Sequence, residues 1–255
     1  MERVKNKDKD EPNGRFSIVG VGPGDPELMT VKAVRTLERA DVLVTPKGKA
    51  NGNSTARRIV EGLVDIGTKE ICELHFPMHK VRLGRGEQDS RVTAAWQRAA
   101  DAILFHLDRG REVVFPTLGD PALYSTGFYV LTTLKSRRPE LRITLVPGIT
   151  AMSGCSARAE LPLGLGDDLV TVVPAVFADE RLREILRSAD SIVLMKVHRS
   201  MERIIGLLDE MGLTEQATLF ERCGLDGETI HPDIRQVKNP HYFSTILIRK
   251  KNLAP

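Results

Sequence analysis

Residues 117–126 (Thr-Leu-Gly-Asp-Pro-Ala-Leu-Tyr-Ser-Thr) place a glycine, a carboxylate and a run of hydroxyls directly after a short apolar stretch. Gly119 lets the backbone approach a ligand closely, Asp120-Pro121 predicts a turn, and Tyr124, Ser125 and Thr126 are expected to open the following helix. Two further segments share this design. Gly20-Val21-Gly22-Pro23-Gly24-Asp25-Pro26 sets three glycines around a proline, and Val146-Pro147-Gly148-Ile149-Thr150-Ala151 again leads from a strand into a helix. The first segment departs from a dinucleotide fingerprint, because Asp25 stands where the third glycine belongs and Pro23 stiffens the turn. It also lacks the Gly-Lys-Ser/Thr ending of a P-loop. Taken alone, such a turn could serve tight packing only. His75 and His79 are four apart, but Pro77 lies between them after strand-like residues, so no metal site is expected. His106, His198, His231 and His241 are scattered, and nothing calls for a covalent nucleophile.

The elements that must carry these turns follow from periodicity. Arg15–Val21 predicts a strand and Thr30 caps a helix whose apolar residues are Val31, Val34, Leu37 and Ala40, before a strand at Val42–Thr45. A lysine- and glycine-rich loop, a helix over Thr55–Leu63 and a strand near Glu70–Phe76 come next. Val92, Ala95, Trp96, Ala99, Ile103 and Leu107 mark an amphipathic helix ended by Gly110. Glu112–Phe115 reads as a strand buried on both faces, followed by a helix over Ala122–Lys135 and a strand at Arg142–Val146. Beyond a helix at Ile149–Arg158, strands are expected at Leu169–Val173, Ser191–Val197, Ala217–Phe220 and Tyr242–Arg249, with helices at Asp179–Arg187 and Ser200–Met211. This alternation predicts an α/β fold with mostly parallel sheets. The stretch Asp226–Pro240 shows no clear helix, which predicts an antiparallel ending to the second sheet. The domain reading is a disordered tail over 1–14, an N-terminal α/β domain over 15–146 and a C-terminal one over 147–255.

Composition narrows the classes. The 255 residues are 41% hydrophobic and 28% charged, with no apolar run near the length that spans a bilayer. The charged start reads as a tail rather than a secretion signal, and the cytoplasm is the default location. Cys72, Cys155 and Cys223 lie far apart without a CxxC pair, which indicates neither a disulfide framework nor a zinc cluster. A net charge of +3 without a long basic stripe gives no sign of nucleic-acid binding. Lys80, Arg82, Arg85 and Arg91 form a local basic patch with Gly84 and Gly86, which a solvated loop would also explain.

Together, the segments 20–30, 117–126 and 146–151 resemble the tetrapyrrole methyltransferase family, in the family's order. The similarity extends from about Arg15 to Arg249. With Lys47, Phe76-Pro77-Met78 and Leu194-Met195-Lys196-Val197, the chain is most similar to the branch that methylates C20 of precorrin-2 or cobalt-factor II. The resemblance implies a two-domain tetrapyrrole methylase fold with a cleft between the domains that holds S-adenosylmethionine (SAM). It also implies a homodimer and a tetrapyrrole substrate of the cobalamin pathway. SAM has no phosphate, which accords with turns that resemble nucleotide loops but lack pyrophosphate chemistry.

By position within the matching motifs, the resemblance puts Pro23, Leu118, Gly119, Asp120, Leu123, Thr150 and Ala151 around SAM. Met195 is implied at the adenine, with Cys223 or Gly224 nearby; apart from the family, Met195 reads equally as a core methionine. Tyr124 is the candidate to assist loss of a proton from the methylated carbon, although its ring could instead pack the cofactor or the helix. The carboxylate-rich substrate makes Lys47, Lys80, Arg82 and Arg85 candidates for its rim. Rival readings are a methyltransferase acting at another ring carbon, a SAM enzyme acting on protein or RNA, and a nucleotide-binding module without chemistry.

Overall fold

A computed structural model describes residues 14–48, 51–77 and 89–251. All of the expected tail except Gly14 lies outside these residues, as do Met78, His79, Lys80, Arg82 and Arg85. The chain divides into two compact units. The described residues up to Gly22 and from Pro26 to Gly148 form the first, and Pro23–Asp25 joins the residues from Ile149 onward in the second.

In the first unit β1 (Phe16–Gly20) leads through the first glycine turn to α1 (Val31–Arg39). The Thr30 hydroxyl accepts from the Ala33 amide at 3.1 Å and so starts that helix. Its buried face is Ala33, Thr36 and Leu37, continued by Ala40. Val31, expected on that face, is 65% exposed, because two residues of helix turn it roughly 200° away from Ala33. Next come β2 (Val42–Lys47), α2 (Thr55–Glu61), β3 (Glu70–His75) and α3 (Ser90–Leu107). The unit ends with β4 (Val113–Thr117), α4 (Gly127–Arg137) and β5 (Ile143–Val146). Every residue of β4 is buried, as a strand covered on both faces requires.

The five strands form one wholly parallel sheet in the order β3-β2-β4-β1-β5. The link from β1 to β2 passes β4 in one direction, and the link from β4 to β5 passes β1 in the other. Right-handed crossovers running in opposite directions lie on opposite faces of a sheet. The chain therefore leaves the neighbouring ends of β1 and β4 toward opposite faces, which is where open α/β sheets bind ligands. Residues of α3 and α4 share one core with Phe16, Ile18, Val42, Val44, Val113 and Phe115.

The second unit contains α5 (Ala151–Arg158), β6 (Val170–Pro174), α6 (Asp179–Ser188) and β7 (Ser191–Met195). These are followed by α7 (Met201–Glu210), β8 (Ala217–Glu221), β9 (Thr229–His231) and β10 (Ser244–Arg249). Its sheet order is β6-β7-β10-β8-β9. Only β6 and β7 pair in parallel; β10 runs antiparallel to both neighbours, and β9 to β8. The antiparallel ending thus enters the middle of the sheet, where all of β10 is buried. The stretch expected to lack a helix holds β9 and a short 3-10 turn at Ile234–Gln236. At the end of β10, Asp168 accepts from Arg249 at 2.9 Å and pairs with Lys251 at 2.8 Å. Its bonds from Lys251 and from the Leu165 amide hold its carboxyl well below the usual carboxylate range.

Candidate functional site

Three turns of the first unit meet at backbone distance. Gly22 and Gly119 exchange two hydrogen bonds, Gly119 N to Gly22 O at 2.7 Å and Gly22 N to Gly119 O at 3.3 Å, an isolated antiparallel bridge in a parallel sheet. Both residues have positive φ, +79° and +70°. A Cβ at Gly20 would lie 2.6 Å from Gly119 O and 2.7 Å from Gly148 N, and one at Gly148 would lie 2.2 Å from Gly119 O. No side chain fits there. Asp120 completes the junction: its Oδ1 accepts from Ala122 N at 2.7 Å and its Oδ2 from Gly148 N at 2.9 Å. The turns after β1, β4 and β5 are therefore locked to one another at the switch point of the sheet.

Leu118 is half-buried between β4 and this junction, and Leu123 is half-buried with its amide on Asp120 O at 3.3 Å. Tyr124 is 47% exposed and has φ +52°, a left-handed conformation that costs an L-residue about 1–2 kcal/mol. This turn corrects the helix expected from Ala122, since α4 begins five residues later, at Gly127. Ser125 and Thr126 precede the helix rather than opening it within a regular turn. Ser125 Oγ accepts from Gly127 N at 3.0 Å and lies 2.9 Å from Thr117 Oγ1. No local pattern marks Thr117 and Ser125 as partners, because eight residues separate them.

In the second unit Pro23 packs on α5: a Cβ at Gly154 would be 3.1 Å from Pro23 Cγ and 3.3 Å from Cys223 Sγ. Gly24 approaches the next turn so closely that its Cβ would meet the Gly224 carbonyl carbon at 2.5 Å. Thr150 caps α5 through Ser153 N at 3.3 Å, and Ala151 is the first helical residue. Cys223 is buried in one cluster with Cys155, and the neighbouring Cys223 thiol together with burial pushes the Cys155 thiol up. Met195 ends β7, and its carbonyl accepts from Ala175 N at 2.8 Å. The strand expected to reach Val197 stops there because Lys196 has φ +62°. Arg222, directly after β8, is likewise left-handed at +53°. Left-handed non-glycine residues thus directly follow β7 and β8 at their carboxyl ends, while Glu160, also left-handed, follows α5.

Lys47 ends β2, with Nζ 3.8 Å from Glu73 Oε2. Arg57, which the sequence reading passed over, reaches the other Glu73 oxygen at 3.3 Å and Glu61 at 2.8 Å. Among the described residues no group of three or more His, Cys, Asp or Glu could hold a metal ion.

The charge of the turns tests what they suit. Within the first unit, residues 20–22, 26–30, 117–126 and 146–148 of these turns contain no Lys, Arg or His, and their charged residues are Glu27 and Asp120. Such turns oppose a phosphate and favour a cation, so the residues present fit a sulfonium cofactor.

Residues 15–237 match the tetrapyrrole (corrin/porphyrin) methylases, and the chain belongs to that family. Within it, the chain is 34% identical to the cobalt-precorrin-2 C(20)-methyltransferase of Salmonella typhimurium, over 94% of this chain and 98% of that one. It is 38% identical to the precorrin-2 C(20)-methyltransferase of a Sinorhizobium species, over 92% and 95%. Among solved structures, the cobalt precorrin-4 methyltransferase CbiF superposes with a TM-score of 0.66 at 20% identity, covering 92% of this chain and 94% of that one. The uroporphyrin-III C-methyltransferase of Thermus thermophilus, complexed with S-adenosylhomocysteine, superposes with a TM-score of 0.63 at 20% identity, covering 93% and 92%. At that identity the two structures establish the fold.

Proposed function

We propose that the chain transfers a methyl group from SAM to C20 of precorrin-2 or its cobalt-bearing counterpart in cobalamin biosynthesis. The observation that carries this reading is the likeness to the two C20-methyltransferases along more than nine-tenths of the chain. SAM, when bound, supplies an electrophilic methyl on a cationic sulfur. The acidic, glycine-locked turns give that charge a favourable surrounding, with Leu118, Gly119, Asp120 and Leu123 at the methionine part. Pro23, Thr150 and Ala151 are proposed as further contacts, and Met195 and Cys223 as contacts of the adenine.

Methyl transfer to ring carbon is an in-line displacement, so rigid placement of donor and acceptor is the main contribution expected of the protein. C20 must then lose its proton. Burial pushes the Tyr124 phenol up, so it stays protonated near neutrality. It is proposed to act as a relay, its oxygen accepting the C20 proton while its own passes to water at its exposed edge. Lys47, Lys80, Arg82 and Arg85 are assigned to the carboxylates of the macrocycle. Reversing Arg82 and Arg85 to Glu should raise KM for the macrocycle at least about tenfold at low salt, and an unchanged KM removes them from the site.

The test has two stages. Calorimetry should show S-adenosylhomocysteine binding in preference to ATP or NAD; the opposite preference overturns the cofactor. Incubation with SAM and, separately, metal-free and cobalt-bearing precorrin-2 should then give a product one methyl heavier, with NMR locating the methyl at C20. A methyl on another carbon overturns the position.

A further inference from the structure

We infer that Ser125, through its hydroxyl contact with Thr117, is a positioning residue for methyl transfer: it holds the left-handed backbone of Tyr124 and thereby sets the direction of the phenol. The inference rests on the relay assigned to Tyr124 above.

An L-residue leaves the left-handed region unless bonds on both sides hold it there. On the upstream side, Asp120 fixes the turn by accepting from Ala122 N at 2.7 Å and Leu123 N at 3.3 Å. On the downstream side, Ser125 is the first residue after Tyr124 and is held from two directions. Its Oγ accepts from Gly127 N at 3.0 Å, where α4 begins, and meets Thr117 Oγ1 at 2.9 Å. A serine hydroxyl has one proton and two lone pairs, so both contacts can be made at once. Thr117 is a rigid anchor: it is the last residue of β4, pairs with Gly20 of β1, and accepts from Val21 N at 3.0 Å. The latch therefore ties the strained residue to the strand end that also locks the glycine junction. A loop that served only to reach α4 could relax at position 124; this one is pinned there.

Two measurements test the latch, one with substrate and one without. In turnover with SAM and precorrin-2, Ser125→Ala and Thr117→Val should each lower kcat about 10–100-fold while KM for SAM stays within about twofold. Adding Ser125→Ala to Tyr124→Phe should cost nothing further, because the serine acts through the phenol. A loss of equal size in both backgrounds makes Ser125 merely structural and overturns the inference. Without substrate, thermal melting compares Gly with Ala at position 124. Glycine tolerates positive φ and alanine does not, so Tyr124→Gly should melt about 2–4 °C above Tyr124→Ala. In the Ser125→Ala background that advantage should vanish or reverse as the backbone relaxes. If the glycine advantage persists there, the latch does not hold Tyr124. If the melting result holds but neither macrocycle is methylated, the latch stands and the proposed reaction fails.

Discussion

A β-carbon at position 148 would face the Gly119 carbonyl oxygen at 2.2 Å, and backbone has no alternative rotamer to yield. Gly148→Ala is therefore expected to destabilise the first unit by about 1–3 kcal/mol and to weaken S-adenosylhomocysteine binding, as read by urea unfolding and calorimetry. Gly206 offers the contrast. It lies within α7 and nothing would come within 4 Å of its Cβ. Gly206→Ala should stabilise by about 0.5–1 kcal/mol, with binding unchanged. The same substitution thus has opposite signs at two glycines, decided by what each approaches. Composition counts both alike.

At the scale of elements, the closing turn of α3 carries a buried histidine whose protonation opposes the fold. His106 Nδ1 lies 3.2 Å from Arg111 Nη1, and Nε2 lies 3.6 Å from Glu70. A guanidinium can only donate, so Nδ1 must accept, which requires neutral imidazole. Burial, chiefly, lowers His106 below its ordinary 6.5. The unfolded chain then binds this proton at a higher pH than the folded one. Stability attributable to His106 is accordingly intact above about pH 6.5 and falls as pH drops through 6.5 toward the lower folded value. Chemical unfolding between pH 7.5 and pH 5.5 should show a steeper loss for the natural protein than for His106→Gln; equal slopes would clear His106 of this role. The pair of sheets makes a second point at this scale. Both halves show strand–helix alternation, yet the first sheet is entirely parallel and the second has β10 at its centre running the other way.

For the whole molecule, no helix among the described residues is long and apolar enough to cross a membrane. The homodimer implied by the family is a proposal that light scattering after gel filtration checks, with a mass near twice 28.3 kDa expected. What the sequence determined by itself is local: Thr30 announces the helix it caps, and β4 declares itself as a short apolar run, because capping and periodicity involve neighbours in the chain. The three motifs also carried the family, since their residue types and order survive without coordinates. Tertiary structure alone decided which atoms meet. Gly20, Gly119 and Gly148 touch through backbone, Lys47 shares Glu73 with Arg57, and Thr117 bonds Ser125 across a turn that displaces the start of α4 by five residues. These are contacts between segments that only strand order and register bring together, and neither is written in any local window of sequence.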